Sequence, residues 1–145
     1  MKRRLPMAPC VSARPPVRFD ISQRALERWN SGVRAAVEDN TISIYDVIGQ
    51  DYWTGEGVTA KRIAAALRQI GAQNDVVVNI NSPGGDMFEG LAIYNLLREH
   101  QGSVTVKILG LAASAASIIA MGGDEVQISR AAFLMVHNGW VVALG

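Results

Sequence analysis

Apolar residues recur along this chain with two different periods, and the alternation between them outlines a fold. Over Val58 to Ile70, the residues Ile63, Ala66, Leu67 and Ile70 fall at i, i+3, i+4 and i+7, which gathers them on one face of an α-helix. Thr59 supplies a cap and Gly71 a stop. The next patterned run, Asp75 to Ile80 (DVVVNI), is short and β-branched and predicts a strand buried on both sides. After Asn81-Ser82-Pro83-Gly84-Gly85-Asp86, the residues Met87, Leu91 and Tyr94, with Ile93 and Leu97 beside them, return to helical spacing and end near His100-Gln101-Gly102.

The unit then repeats. Val104 to Leu109 predicts a strand, Gly110 a turn, Ser114 to Met121 a helix closed by Gly122-Gly123. Two short strands follow, Glu125 to Ile128 and Ala132 to Val136, and deliver His137. Upstream, Thr41 to Ile48 (TISIYDVI) alternates as a strand, with a glycine-bearing loop from Tyr52 to Gly57 behind it. Earlier still, Ile21, Ala25 and Trp29 suggest a short amphipathic helix capped by Asp20 or Ser22. Strands alternating with helices at this spacing predict an α/β fold with largely parallel pairing and right-handed crossovers.

Composition narrows the picture. With 145 residues and 49% hydrophobic content, one domain with a real core is expected, spanning 19–145 behind a solvated N-terminal arm over 1–18. Fourteen Lys and Arg against thirteen Asp and Glu leave a net charge of +1, so neither nucleic acid nor an anionic membrane is an expected partner. The one cysteine, Cys10, and two histidines offer no internal disulfide and no ligand set at zinc spacing. No metal and no cofactor are expected. Lys2, Arg3 and Arg4 resemble the start of an export signal, but Pro6, Pro9, Pro15, Pro16, Arg14 and Arg18 interrupt the apolar run it requires. The uncharged stretch Ile108 to Gly123 falls short of the roughly 20 residues that span a bilayer. A cytoplasmic location is the expectation.

Ligand sites in parallel α/β folds gather beyond the carboxyl ends of the strands. Three features are expected there: the Gly84-Gly85 turn, the Gly110 to Ser114 turn, and His137. Acyl transfer by a serine needs a base, a group that orients the base, and donors for the oxyanion. Ser114 at a helix start is a candidate nucleophile, His137 a candidate base, and Gly85, supported by Gly84, a candidate backbone donor. Each has a plainer alternative. Ser114 could simply cap the helix, Gly84-Gly85 could feed a helix capped by Asp86, and His137 could be a hydrogen-bonded core histidine. His100 belongs to the helix terminus or the surface, and Ser117 reads as a small packing residue. Neither a G-x-S-x-G elbow nor a Walker lysine is present.

Taken together, these segments resemble the proteolytic subunit of Clp peptidases. Asn79-Ile80-Asn81-Ser82-Pro83-Gly84-Gly85, then Gly90, Ile93-Tyr94, Gly110-x-Ala112-Ala113-Ser114 and Met135-Val136-His137 occur in that family's order and near its spacing. The resemblance covers Thr41 to Trp140. It implies a Clp/crotonase-like spiral of β-β-α units, with Ser114 as nucleophile, His137 as base and the N–H groups of Gly85 and Ala115 as oxyanion donors. It also implies a polypeptide substrate and a homo-oligomeric ring, with any ATP dependence supplied by an AAA+ unfoldase partner. Ile42-Ser43-Ile44-Tyr45-Asp46, Tyr52-Trp53 and Gly57-Val58-Thr59-Ala60 are most similar to the phage and prophage branch, whose head maturation proteases trim capsid and scaffold proteins.

One departure matters for activity. The family's triad acid lies well downstream of its histidine, whereas this sequence ends at Gly145, and none of Asp46, Asp51, Asp75, Asp86, Asp124 and Glu125 matches its position. The expectation is an N-terminal portion of a longer protein, lacking the extension that binds substrate and joins rings. Loss of the acid typically costs about 10⁴-fold in kcat. Two further classes remain open: a crotonase-like acyl-CoA enzyme, and an assembly module without catalysis. A Ser-Lys dyad fits less well, because Lys107 sits on a strand and Lys61 on an amphipathic helix.

Overall fold

Side-chain period and backbone capping divide the chain into alternating strands and helices. The computed structural model of the chain describes residues 40–50 and 56–139. The arm over 1–18, the helix expected around Ile21, Ala25 and Trp29, and the Tyr52 to Gly55 part of the expected Tyr52 to Gly57 loop lie outside the described residues. The elements are β1 (Thr41–Ile44), α1 (Ala60–Ile70), β2 (Val76–Ser82), α2 (Met87–Arg98), β3 (Val104–Ala113), α3 (Ala115–Ala120), β4 (Glu125–Ile128) and β5 (Phe133–Met135).

The strands form one parallel sheet in the order β1-β2-β3-β4, with β5 also paired to β3. β4 lies beside the first half of β3 (Thr105 opposite Glu125) and β5 beside its end (Ala113 opposite Met135). The two short strands therefore follow one another along a single edge of β3.

Burial explains why this sheet holds. Ile42, Ile44, Val76, Val78, Ile80, Val104, Val106 and Ile108 form one buried face, covered by Ile63 and Leu67 of α1, Ile93 and Leu97 of α2, and Ile119 of α3. Each such side chain contributes roughly 1.5–3 kcal/mol on burial. The starts of α1 and α2 are satisfied by side chains. Thr59 Oγ1 accepts from the Arg62 N–H at 3.3 Å, Asp86 Oδ1 from the Glu89 N–H at 2.8 Å, and the Glu89 carboxylate takes the Ala60 N–H at 2.6 Å.

Three expectations change. β2 alternates buried and half-buried residues, so only one face is fully enclosed among the described residues. β1 stops at Ile44, because Asp46 turns the chain: its Oδ1 accepts from the Val47 N–H at 2.7 Å and its carbonyl accepts from Ser82 Oγ at 2.6 Å. Gly110 is not a turn, since β3 runs through it to Ala113 and the change of direction falls on Ser114.

Candidate active site

β2, β3 and β5 are adjacent and parallel, so their carboxyl ends lie side by side. Ser82 pairs with Ala112, and Ala113 with Met135. The residues just beyond these ends are Gly84-Gly85, Ser114 and His137. The topology brings all three candidates to one edge of the sheet.

Ser114 carries the turn between β3 and α3 with φ 53° and ψ −121°. A non-glycine residue in that region costs on the order of 1–3 kcal/mol and needs surroundings that enforce it. Its N–H donates to the Met135 carbonyl at 2.9 Å, and its carbonyl accepts from the Ser117 N–H at 2.9 Å and from Ser117 Oγ at 2.6 Å. Ala112, Ala113, Ala115 and Ala116 are buried around it. The Ser114 side chain makes no capping bond to the helix, so the plain-cap alternative does not hold. Ser117 packs as expected and also braces the turn.

His137 is exposed, unlike a core histidine, and its Nε2 lies 2.8 Å from Ser114 Oγ. Its Nδ1 lies 2.8 Å from the Asn138 carbonyl oxygen. A carbonyl only accepts, so Nδ1 carries the proton in the neutral ring and Nε2 is left to accept from the serine hydroxyl. The orienting partner is a backbone carbonyl rather than a carboxylate. His100 is engaged elsewhere, with Nε2 2.8 Å from the Asn74 carbonyl oxygen.

The Gly84-Gly85 turn is fixed from two sides. Ile48 donates its N–H to the Gly84 carbonyl at 2.9 Å and accepts the Asp86 N–H at 2.8 Å, which leaves the Gly85 N–H facing away from Ile48. Gly85 has φ 148°, and a Cβ there would collide with the Ile48 carbonyl oxygen. A Cβ on Gly84 would lie 2.8 Å from the Ser114 Cβ and 3.1 Å from the Ala115 nitrogen. The two turns therefore pack directly on one another. Among the described residues, neither the Gly85 nor the Ala115 N–H has a protein acceptor.

Two supporting residues escaped the sequence reading of roles. Ser82 is fully buried; besides its bond to Asp46, its Oγ accepts the Gly84 N–H at 3.2 Å. Asn81 Oδ1 accepts the Leu111 N–H at 3.0 Å. The available signal was an Asn-Ser pair closing a β-branched strand, where Asn is out of place by propensity alone. Among the described residues no cluster of His, Cys, Asp and Glu could hold a metal ion, and no helix is long and apolar enough to cross a membrane.

A parallel α/β sheet that sets a serine, a histidine and the backbone N–H groups of Gly85 and Ala115 at adjacent strand ends has the layout of an acyl-transfer site. The chain belongs to the Clp protease family, which matches residues 23–145. It is 34% identical over 92 residues to the ATP-dependent Clp protease proteolytic subunit of Deinococcus radiodurans, covering 58% of this chain and 44% of that protein. It is 40% identical over 69 residues to the subunit of the same name from Ligilactobacillus salivarius, covering 46% and 35%. The chain thus spans less than half the length of these relatives. A solved structure of a ClpP1 mutant from Listeria monocytogenes is similar over 58% of this chain and 46% of its own, with TM-score 0.48 and 25% identity.

Proposed function

We propose that this chain carries the nucleophile–base half of a Clp-type serine endopeptidase. The observation that supports it most is the 2.8 Å contact between His137 Nε2 and Ser114 Oγ. In the proposed reaction, Ser114 Oγ adds to the carbonyl carbon of the scissile peptide while its proton passes to His137 Nε2. The Gly85 and Ala115 N–H groups take the oxyanion. The C–N bond then breaks, and His137 returns the proton to the leaving amine. Water repeats the sequence on the acyl-enzyme: it gives a proton to His137, forms the new C–O bond, and releases the acid as Ser114 regains its proton. The Asn138 carbonyl sets the tautomer but carries no full charge to stabilise the imidazolium.

The finer reading is that the substrates are capsid and scaffold proteins of a prohead. It rests on the sequence likeness of Ile42 to Asp46, Tyr52-Trp53 and Gly57 to Ala60 to the phage branch. A single domain over 19–145, a homo-oligomeric ring, cytoplasmic location and an AAA+ unfoldase partner complete the proposal, the last in keeping with relatives named ATP-dependent. The test is labelling by a fluorophosphonate. Modification of Ser114, abolished in Ser114→Ala and slowed by at least about 10²-fold in His137→Ala, is the expected result. Acyl-CoA binding without labelling would favour the crotonase-like alternative, and capsid-protein binding unchanged in Ser114→Ala an assembly module.

A further inference from the structure

The pairing of β2 with β3 contains a slip just before the site. Ile80 pairs with Ile108 and Ser82 with Ala112, so two steps along β2 correspond to four along β3. β3 therefore carries two extra residues, and a strand irregularity of this kind leaves backbone groups without their ladder partners. The Asn81 side chain fills the gap. Its Oδ1 takes the Leu111 N–H at 3.0 Å, and a Cβ on Gly110 would lie only 2.5 Å from that oxygen. Leu111 in turn opens the pairing with β5, opposite Phe133, and Met135 at the end of that pairing accepts the Ser114 N–H.

We infer that Asn81 is a positioning residue for the nucleophile. By accepting from Leu111 it stabilises the two-residue slip, and the slip sets the height at which Ser114 meets both His137 and Gly84. Without the slip, β3 would end two residues out of step with the Gly84-Gly85 turn and with β5. Asn81 itself touches neither Ser114 nor His137 by any hydrogen bond among the described residues. The role rests on the peptidase reading for its consequence, but its physical content, a side-chain acceptor holding a strand slip, stands apart from catalysis.

The experiment measures fluorophosphonate labelling of the full chain and amide exchange at Leu111 in parallel. Asn81→Ala is expected to slow the covalent step by roughly 10–10²-fold, the scale of a 1 Å misplacement, without weakening initial probe binding, and to speed Leu111 exchange. Asn81→Asp retains the acceptor and restores most of the rate. Gly110→Ala pushes the same oxygen aside and reproduces the Asn81→Ala defect. The double variant Asn81→Ala/Gly110→Ala is no slower than Asn81→Ala alone, because the two act through one contact. Should Asn81→Ala fail to fold, Gly110→Ala gives the readout with all backbone groups retained. Labelling of Asn81→Ala at the unsubstituted rate, or strict additivity of the pair, overturns the inference. Failure of the unsubstituted chain to label sinks the peptidase reading instead; Leu111 exchange equally fast with and without Asn81 then decides against the slip role.

Discussion

The strand that presents Ser114 and the strand that presents His137 are built in opposite ways. β3 spans Val104–Ala113, is paired on both edges, and buries Val104, Val106, Ile108, Ala112 and Ala113. β5 spans only Phe133–Met135; Phe133 within it and Val136 just after it are 71% and 75% exposed. Ser114 is held by the core, His137 by a three-residue pairing and the Met135 carbonyl's bond from Ser114. A strained φ at Ser114 is affordable only on the well-packed side. The His137 side needs no strain, only alignment.

The contrast breaks most visibly at a core position. Ile108→Ala on β3 is expected to cost about 2–5 kcal/mol in denaturant unfolding, whereas Phe133→Ala on β5 stays within about 0.5 kcal/mol. Equal losses would show that β5 is packed as firmly as β3. Between these lies Ser82→Ala, which strips the Asp46 carbonyl and the Gly84 N–H of their buried partner. It should lower stability by about 1–3 kcal/mol and slow labelling of Ser114 through the loosened glycine turn, without disturbing β5.

Much of this division was legible in the sequence. The helical spacing of Ile63, Ala66, Leu67 and Ile70, Thr59 before it and Gly71 after it define α1 almost to the residue, because period and caps are local properties. The three strand ends that carry Gly84-Gly85, Ser114 and His137 were also visible as glycine or polar residues closing apolar runs. What local pattern could not reveal depended on partners distant in sequence. Gly110 looks like a turn until Asn81, from the neighbouring strand, is seen to need the space its missing side chain leaves. Likewise Asp46 ends β1 early through a bond to Ser82, a residue a whole helix away. The half-buried face of β2 follows from what does not fully cover it among the described residues, which no period within DVVVNI can report.

If Ser114 Oγ and His137 Nε2 act as nucleophile and base, an acyl-enzyme forms that can be trapped. The full chain is mixed with an activated ester, quenched in acid, digested, and the acylated residue located by mass spectrometry. Acylation at Ser114, absent in His137→Ala at the same time point, is the expected result. Acylation confined to other residues, or undiminished at Ser114 without His137, would contradict it.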